Sequence, residues 1–233
     1  MSGTQARFAA WLAGVRPPTI SGRTVVLESA EWLADLRTAG FLDAGGALLV
    51  RGPSPAALDL TWRHESFTGD LRTATDDLAF ASGLRVAQCP YGLAEFHSFD
   101  GPVALRITDD HDFSAFLRDA DEARATGRFA RFLTDPLTIV ADRPGLGATL
   151  ATGGPGQRIF VSDTGAISTS PTGLRLGWVG EDPTAIEQRW LTANECSRRP
   201  CAVCLSTAVA ERDRVEALLE RPWLARYLDA VAV

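Results

Sequence analysis

Three of the four cysteines in this chain lie close together, at Cys196, Cys201 and Cys204. Cys201 and Cys204 have the C-x2-C spacing with which two thiolates reach one tetrahedral metal ion from a single tight turn. Cys196 approaches from upstream, and Pro200 restrains the backbone just before the turn. This residue set is typical of a zinc site, and a structural zinc site needs a fourth ligand.

Cys89 is the remaining cysteine and the predicted fourth ligand, with His97 as the substitute. A site formed by Cys89, Cys196, Cys201 and Cys204 would leave no open coordination position on the metal. We therefore expect the zinc to be structural and to join two distant parts of the chain. No catalytic residue and no cofactor-binding residue is predicted beside it.

Two other chemistries remain open for the same cysteines, besides partly buried free thiols. The C-x4-C-x2-C spacing matches that of plant-type ferredoxins, but no fourth cysteine follows Cys204, so an iron–sulfur cluster is less favoured than zinc. A C-x2-C at a helix start can also act as a redox pair. The sequence does not place this one after the first strand of a β-α-β unit, where such a motif is expected.

Polar clusters elsewhere have simpler interpretations. Residues 109–112, Asp-Asp-His-Asp, offer carboxylates for a divalent cation, but carboxylates at the start of a helix usually cap it, and we expect capping with Asp112 as the cap. His64 lies between an arginine and a glutamate and is interpreted as an ordinary histidine, because no nucleophile motif accompanies it. The Asp163-Thr164-Gly165 stretch predicts a hairpin turn.

The composition excludes several classes of protein. The chain has 233 residues and a formal net charge of −6, which argues against general nucleic-acid binding. All 23 basic residues are arginine, so neither a P-loop lysine nor a lysine Schiff base is available. No apolar run is long enough for a membrane helix and no secretion signal is recognisable, so we expect a cytoplasmic protein that does not bind membranes.

Hydrophobic patterning predicts an α/β (α+β) fold. Short apolar runs at residues 24–29, 47–52, 103–108 and 137–142 predict strands, and the helices between them predict two β-α-β units. Residues 157–180 predict a β-meander, followed by a helix from Asp182-Pro183, the cysteine-rich turn and two terminal helices at 205–220 and 222–231. We divide the chain into an α/β body, 1–145, and a C-terminal extension, 157–233, which together can form one compact domain.

The C-terminal third resembles the recognition proteins of daptide pathways, an actinobacterial family that serves the biosynthesis of ribosomally synthesised and post-translationally modified peptides. The resemblance rests on a series of short matches: Ser170-Pro171-Thr172-Gly173, Leu176-Gly177, Trp190, Asn194, the run from Pro200 to Leu205, Arg221-Pro222 and Tyr227-Leu228. It implies a non-catalytic protein that binds the leader of a precursor peptide. It also implies partners, namely a decarboxylating oxidoreductase and an aminotransferase of the same pathway.

Two functions are therefore expected from the sequence. The first is a peptide-recognition protein with a structural zinc, whose arginines pair with acidic leader residues and whose exposed strand edge captures the peptide. The second is a zinc- or iron–sulfur-dependent enzyme, or a subunit of an oxidoreductase, that uses the cysteine cluster. The number of protein ligands on the metal distinguishes them.

Overall fold

A mixed α/β architecture with one large sheet is present in the computed structural model, which describes residues 3–13, 22–42, 45–53, 63–126, 128, 130–135, 137–141 and 154–193. The strands are β1 (Thr24–Leu27), β2 (Ala47–Arg51), β3 (Arg63–Thr68), β4 (Leu78–Phe80), β5 (Arg85–Pro90), β6 (Val103–Arg106), β7 (Thr138–Val140), β8 (Arg158–Val161), β9 (Ala166–Ser168) and β10 (Gly177–Trp178). The α-helices are α1 (Gly3–Ala13), α2 (Leu33–Thr38), α3 (Asp110–Thr126) and α4 (Pro183–Ala193), and the 3-10 helices are η1 (Ala30–Trp32), η2 (Tyr91–Phe96) and η3 (Arg131–Thr134).

The strands follow the order β10-β9-β8-β1-β2-β3-β4-β5-β6-β7 across the sheet. Parallel pairing joins β8, β1, β2 and β3, and it also joins β5, β6 and β7. Strand β4 is antiparallel to both of its neighbours, so the two parallel blocks run in the same direction. The strands of both blocks therefore end at one edge, which we call the carboxyl edge.

The meander predicted for the C-terminal region belongs to this same sheet. Strand β8 pairs in parallel with β1, with Val25 opposite Ile159 and Leu27 opposite Val161. The β8–β9 connection is the predicted hairpin turn, and Gly165 takes the positive φ of 84° that favours glycine. The predicted terminal helices and the cysteine turn lie outside the described residues.

Helix α1 is enclosed by the sheet. Its consecutive residues Phe8 to Leu12 are all buried, which is the pattern of a helix with no solvent-facing side. The helix contacts β1 and also β7, six strand positions away. That separation would be about 29 Å in a flat sheet at about 4.8 Å per strand, whereas a helix is only about 10–12 Å wide. The sheet must therefore curl around α1.

Successive side chains of each strand point to opposite faces of the sheet, so the molecule has an inner and an outer hydrophobic core. The inner cluster joins α1 to side chains of every strand from β1 to β8, including Val26, Phe67, Ile139 and Phe160. On the outer face, α2 and α4 cover β1, β2 and β8, and α3 covers β5 and β6. The helices that are not enclosed therefore lie outside the curled sheet.

The strands predicted from continuous apolar runs are confirmed as β1, β2, β6 and β7. The sequence of residues 76–82, Asp-Asp-Leu-Ala-Phe-Ala-Ser, can be interpreted as a short helix, but that interpretation is wrong, because Leu78 and Phe80 alternate with Ala79 as the buried face of β4. Strand β3, which carries His64, was not expected, because Arg63, His64 and Glu65 give it no apolar run. Its pairing with β2 and the inward burial of Phe67 fix its conformation.

Candidate functional site: a cleft between η2, α3 and η3

A cleft of about 670 Å³ opens between η2, α3 and η3, on the outer side of β5–β7. Its volume falls within the range of sites that bind small ligands or parts of a peptide. Strand β5 ends at Pro90, at the carboxyl edge. The 3-10 helix η2 follows directly and forms one wall of the cleft. The lining comprises apolar, acidic and basic side chains: Tyr91, Gly92, Ala94, Glu95, His97, Ser98, Phe99, Ala115, Arg118, Asp119, Glu122, Ala130, Arg131, Phe132, Asp135 and Thr138.

Tyr91 forms the aromatic floor of the cleft. Its ring meets Phe116 of α3 edge-on at 5.6 Å between centroids and Phe132 of η3 edge-on at 5.5 Å. Edge-to-face pairs of this kind are favourable contacts in addition to the area they bury. The phenol hydroxyl donates a hydrogen bond to Asp119 Oδ2 at 3.1 Å. One residue therefore fixes the relative positions of all three segments that line the cleft.

Asp119 is the partly buried carboxylate of the cleft. Burial raises its pKa above the ordinary value, and the negative charges of Glu95 and Glu122 raise it further. The Tyr91 hydroxyl and Arg118, whose Nε lies 3.9 Å from Asp119 Oδ1, act in the opposite direction. A titratable group with a perturbed pKa inside a cleft is a reasonable candidate for a functional residue.

The segments that line the cleft also carry exposed apolar side chains. Phe96 at the end of η2 is 73% exposed, and Leu93 and Leu137 are also exposed. His97 lies beside the cleft with its ring stacked on Phe99, at 6.0 Å between centroids. Exposed apolar residues beside a polar cleft are characteristic of surfaces that bind another molecule.

The Asp109–His111–Asp112 group is the only set of three or more potential metal ligands within reach of one ion among the described residues, with ligand atoms within 4.8 Å of one another. Its hydrogen bonds explain it as a helix cap. Asp109 Oδ1 accepts from Asp112 N at 2.8 Å, while Asp112 accepts from Gly92 N at 3.0 Å and from Thr108 N at 3.2 Å. The expected cap residue, Asp112, is corrected to Asp109, because α3 begins at Asp110 and the residue before it caps the first turn.

Asp112 has a second role, because it ties the start of α3 to η2. Its bond to Gly92 N fixes the backbone next to Tyr91, and the His111 imidazole covers Gly92 so closely that a Cβ there would lie 2.5 Å from Cε1. A side chain at position 92 would therefore require the exposed His111 ring to move. The capping group positions the cleft and is not itself a candidate binding site.

A second charged cluster lies at the carboxyl edge, away from the cleft lining. Glu28 follows β1 and has a side chain only 2% exposed, with Arg72 Nη2 against its Oε2. Arg72 also binds Asp163 Oδ1 at 2.7 Å, and the Asp163 backbone N–H donates to Glu28 at 3.2 Å. These bonds connect the β3–β4 loop to the ends of β1 and β8.

Two side chains that face the inner core, Arg106 and Gln88, form hydrogen bonds to the β3–β4 loop. Arg106 of β6 is fully buried and donates to Leu71 O at 2.6 Å, to Thr73 O at 3.1 Å and to Gln88. Gln88 donates to Asp70 O at 2.7 Å and to Asp76 O. Both side chains thus hold the loop over the inner core, which gives the cluster a structural role.

Cys89 lies on the outer face of β5 in the apolar cluster beneath α3. Its thiol contacts the Pro90 carbonyl oxygen at 3.3 Å, and burial together with the Asp112 charge raises the pKa of the thiol. His97, the alternative ligand, is exposed beside the cleft, and His64 is half-buried on β3. Cys196, Cys201 and Cys204 lie outside the described residues, so the four-cysteine zinc site stays a prediction.

Sequence reasoning missed the cleft. One signal was present, because residues 91–99 contain Tyr91, Phe96, His97 and Phe99 within a segment that has no helical or strand periodicity. Aromatic residues concentrated in a non-periodic segment are a pattern expected of binding surfaces. The contributions of Asp119 and Phe132 depend on tertiary packing and had no local signal.

The described residues contain no helix that is both long enough and apolar enough to cross a membrane. A scan against protein-family models finds no match, and neither a search of the curated proteins nor one of the solved structures finds one.

Proposed function

We propose that this protein is a non-catalytic recognition protein that binds the leader of a precursor peptide in the η2–α3–η3 cleft. The observation that supports this most directly is the composition of the cleft, which combines an aromatic floor, ionised side chains on all three segments and exposed apolar residues on η2. Peptide-binding surfaces use this combination, because aromatic anchors supply affinity and charged groups select the sequence.

The proposal includes the partners that the resemblance implies. The bound leader would hold the precursor near an oxidoreductase that modifies its core, in the cytoplasm. The protein would then raise the effective concentration of substrate at the enzyme without taking part in the chemistry.

A direct binding measurement tests the proposal. Fluorescently labelled precursor peptides encoded beside this gene are titrated with the wild-type protein and with Ser98→Trp, which inserts a large ring into the cleft lining. We expect Ser98→Trp to weaken leader binding at least tenfold. The matched control is Ser114→Trp, at an exposed position of α3 outside the lining, which should bind like the wild type. If the wild type binds none of these precursors, the recognition function is wrong.

A structural zinc ion is part of the same proposal, with Cys196, Cys201 and Cys204 as ligands and Cys89 or, as its substitute, His97 as the fourth. Cys89 is buried beneath α3 and His97 is exposed, so the two candidates belong to different parts of the described structure. Metal analysis distinguishes them. We expect about one zinc per chain in the wild type and loss of zinc in Cys201→Ala and Cys89→Ala. Retention in Cys89→Ala with loss in His97→Ala would instead identify His97 as the fourth ligand.

The alternative function, a metal-dependent enzyme or oxidoreductase subunit, predicts a different result from the same preparation. An enzyme would hold its metal with three protein ligands and an exchangeable water, or would contain iron and inorganic sulfide. Iron and sulfide analysis, together with X-ray absorption to count sulfur neighbours around zinc, distinguishes the two functions. Three cysteine ligands plus one oxygen ligand would favour the enzyme.

A further inference from the structure

We propose that the η2–α3–η3 cleft selects a cationic side chain, arginine or lysine, of the peptide it binds. This inference names the ligand chemistry of the proposed recognition site and rests on that function. It differs from the expectation from composition, in which the arginines of this protein pair with acidic leader residues. The expectation from composition considers every arginine of the chain. The cleft is lined by only two arginines and by four carboxylates.

The lining of the cleft has an excess of negative charge. It contains four carboxylates, Glu95, Asp119, Glu122 and Asp135, and two guanidinium groups, Arg118 and Arg131. The carboxylates come from η2, from α3 and from the residue that follows η3. An anionic side chain entering this space would meet a net repulsion, whereas a cation would be attracted.

Asp119 is placed to receive the cation. Among the residues that the structure describes, one hydrogen-bond donor reaches this carboxylate, the Tyr91 hydroxyl, and Arg118 lies at the longer distance of 3.9 Å. An ionised carboxylate has about four acceptor positions, so capacity remains for the donors of a guanidinium or ammonium group. The tyrosine bond keeps the carboxylate oriented, and the partial burial strengthens a charge-assisted bond by lowering the local dielectric.

The aromatic residues of the lining fit the same ligand. Tyr91, Phe132 and Phe99 border the cleft, and His97 stacks on Phe99. A cation within about 6 Å of an aromatic face is attracted by the negative charge of that face, and the alkyl stem of lysine or arginine gains apolar contact with the rings. A carboxylate ligand would gain neither contribution.

The charge of the cleft makes binding pH-dependent. The facing groups are Glu95 and His97 from η2, Asp119, Glu122 and Arg118 from α3, and Arg131 with Asp135 from η3 and the residue that follows it. A cation binds best when Asp119 is ionised. Because burial and neighbouring charges raise the pKa of Asp119, affinity should fall as the pH decreases through a range above that of an ordinary aspartate.

The experiment uses two kinds of probe on the full-length protein. The first is the precursor peptide and a series in which each arginine or lysine is replaced by glutamine. The second consists of Nα-acetyl-arginine amide and Nα-acetyl-glutamate amide, which do not depend on any pathway. Both are titrated by calorimetry or by NMR chemical shifts against the wild type, Asp119→Asn and Glu122→Gln. The control is Glu187→Gln, an exposed glutamate on α4 outside the cleft.

We expect one basic residue of the precursor to be essential, with at least a tenfold loss of affinity when it becomes glutamine. Asp119→Asn should cause a similar loss and should make the protein indifferent to that peptide substitution, since both changes remove the same contact. Glu122→Gln, at an exposed side chain that cannot disturb the core, should weaken binding about two- to fivefold. The arginine amide should bind and the glutamate amide should not.

The outcomes separate the two proposals. Precursor binding that is unaffected by every basic-to-glutamine change, and by both cleft variants, would overturn the cationic selectivity and leave the recognition function in place. Binding of the arginine amide that depends on Asp119, with no precursor bound, would overturn the recognition function and support the selectivity. Failure of every probe would overturn both.

Discussion

Glu28 illustrates how one residue at the carboxyl edge balances burial against charge pairing. Its side chain is almost completely buried, and burial raises the pKa of its carboxyl group, while the neighbouring Arg72 guanidinium lowers it less strongly. The net direction is upward, so the folded state binds this proton more tightly than the unfolded chain does. Ionised Glu28 therefore costs stability even though it is paired.

This balance predicts a pH dependence of stability. The contribution from Glu28 is fully present below the pKa of the unfolded chain and is lost as the pH rises through the higher pKa of the folded state. Urea unfolding of the wild type and Glu28→Gln between about pH 4 and 7 measures it. We expect the wild type to lose free energy of unfolding relative to Glu28→Gln as the pH rises. Glu31→Gln, at an exposed position, is the control, and parallel curves for Glu28→Gln and the wild type would contradict the explanation.

At the scale of elements, the start of α3 connects the fold to the cleft. Asp109 caps the helix, and Asp112 uses its two carboxylate oxygens to bind η2 and the end of β6. Capping bonds at a helix surface are worth about 1 kcal/mol, whereas removing the acceptor of buried backbone donors costs more. Loss of the Asp112 side chain should therefore reduce the free energy of unfolding more than loss of the Asp109 side chain, although both lie at the start of the helix.

Alanine substitutions measure this difference. We expect Asp109→Ala to reduce the free energy of unfolding by about 1 kcal/mol. Asp112→Ala should cost about 2–3 kcal/mol, since it leaves the Gly92 and Thr108 amides without their acceptor. Asp112→Ala should also weaken peptide binding in the cleft, because Gly92 adjoins Tyr91. Equal costs for the two variants in chemical denaturation would contradict the assignment of their roles.

The elements also show what the sequence can and cannot predict. Strands β1, β2, β6 and β7 are predictable, because continuous apolar runs mark strands buried on both faces. Strand β4 is not, because its three residues become a strand only through pairing with β3 and β5 on either side. The cleft is least predictable. It consists of two 3-10 helices and one face of α3, which tertiary contacts bring together, among them those of Tyr91 with Phe116, Phe132 and Asp119.

At the scale of the whole molecule, α1 acts as the core around which the sheet curls. The ring of Phe8 contacts Phe80 edge-on at 4.7 Å and lies 6.3 Å from Phe67, both measured between centroids. Trp11 stacks on Phe8 along the same side of the helix and lies 6.4 Å from Phe160 of β8. Since α1 also contacts β7, the helix reaches strands of both parallel blocks and supports the curvature of the sheet.

Truncation of the helix face tests this role. We expect Phe8→Ala to cost about 3–5 kcal/mol, because the cavity it leaves is bounded by several strands that cannot collapse independently. Thermal and urea unfolding followed by near-ultraviolet circular dichroism measure the loss. Leu174→Ala, at an exposed leucine, serves as the control and should change stability by no more than about 0.5 kcal/mol. A small effect of Phe8→Ala would mean that the sheet holds its curvature without α1.

The enclosed position of α1 also determines when its contacts with the sheet can be completed during synthesis. Helix α1 is synthesised before the strands that enclose it, yet its contact between Trp11 and Phe160 is completed only after β8 has left the ribosome. Contacts between residues so distant in sequence require a large loop to close before they contribute, which slows folding. The apolar surface of α1 therefore remains without its final partners until β8 has been synthesised, so the nascent chain should depend on chaperones.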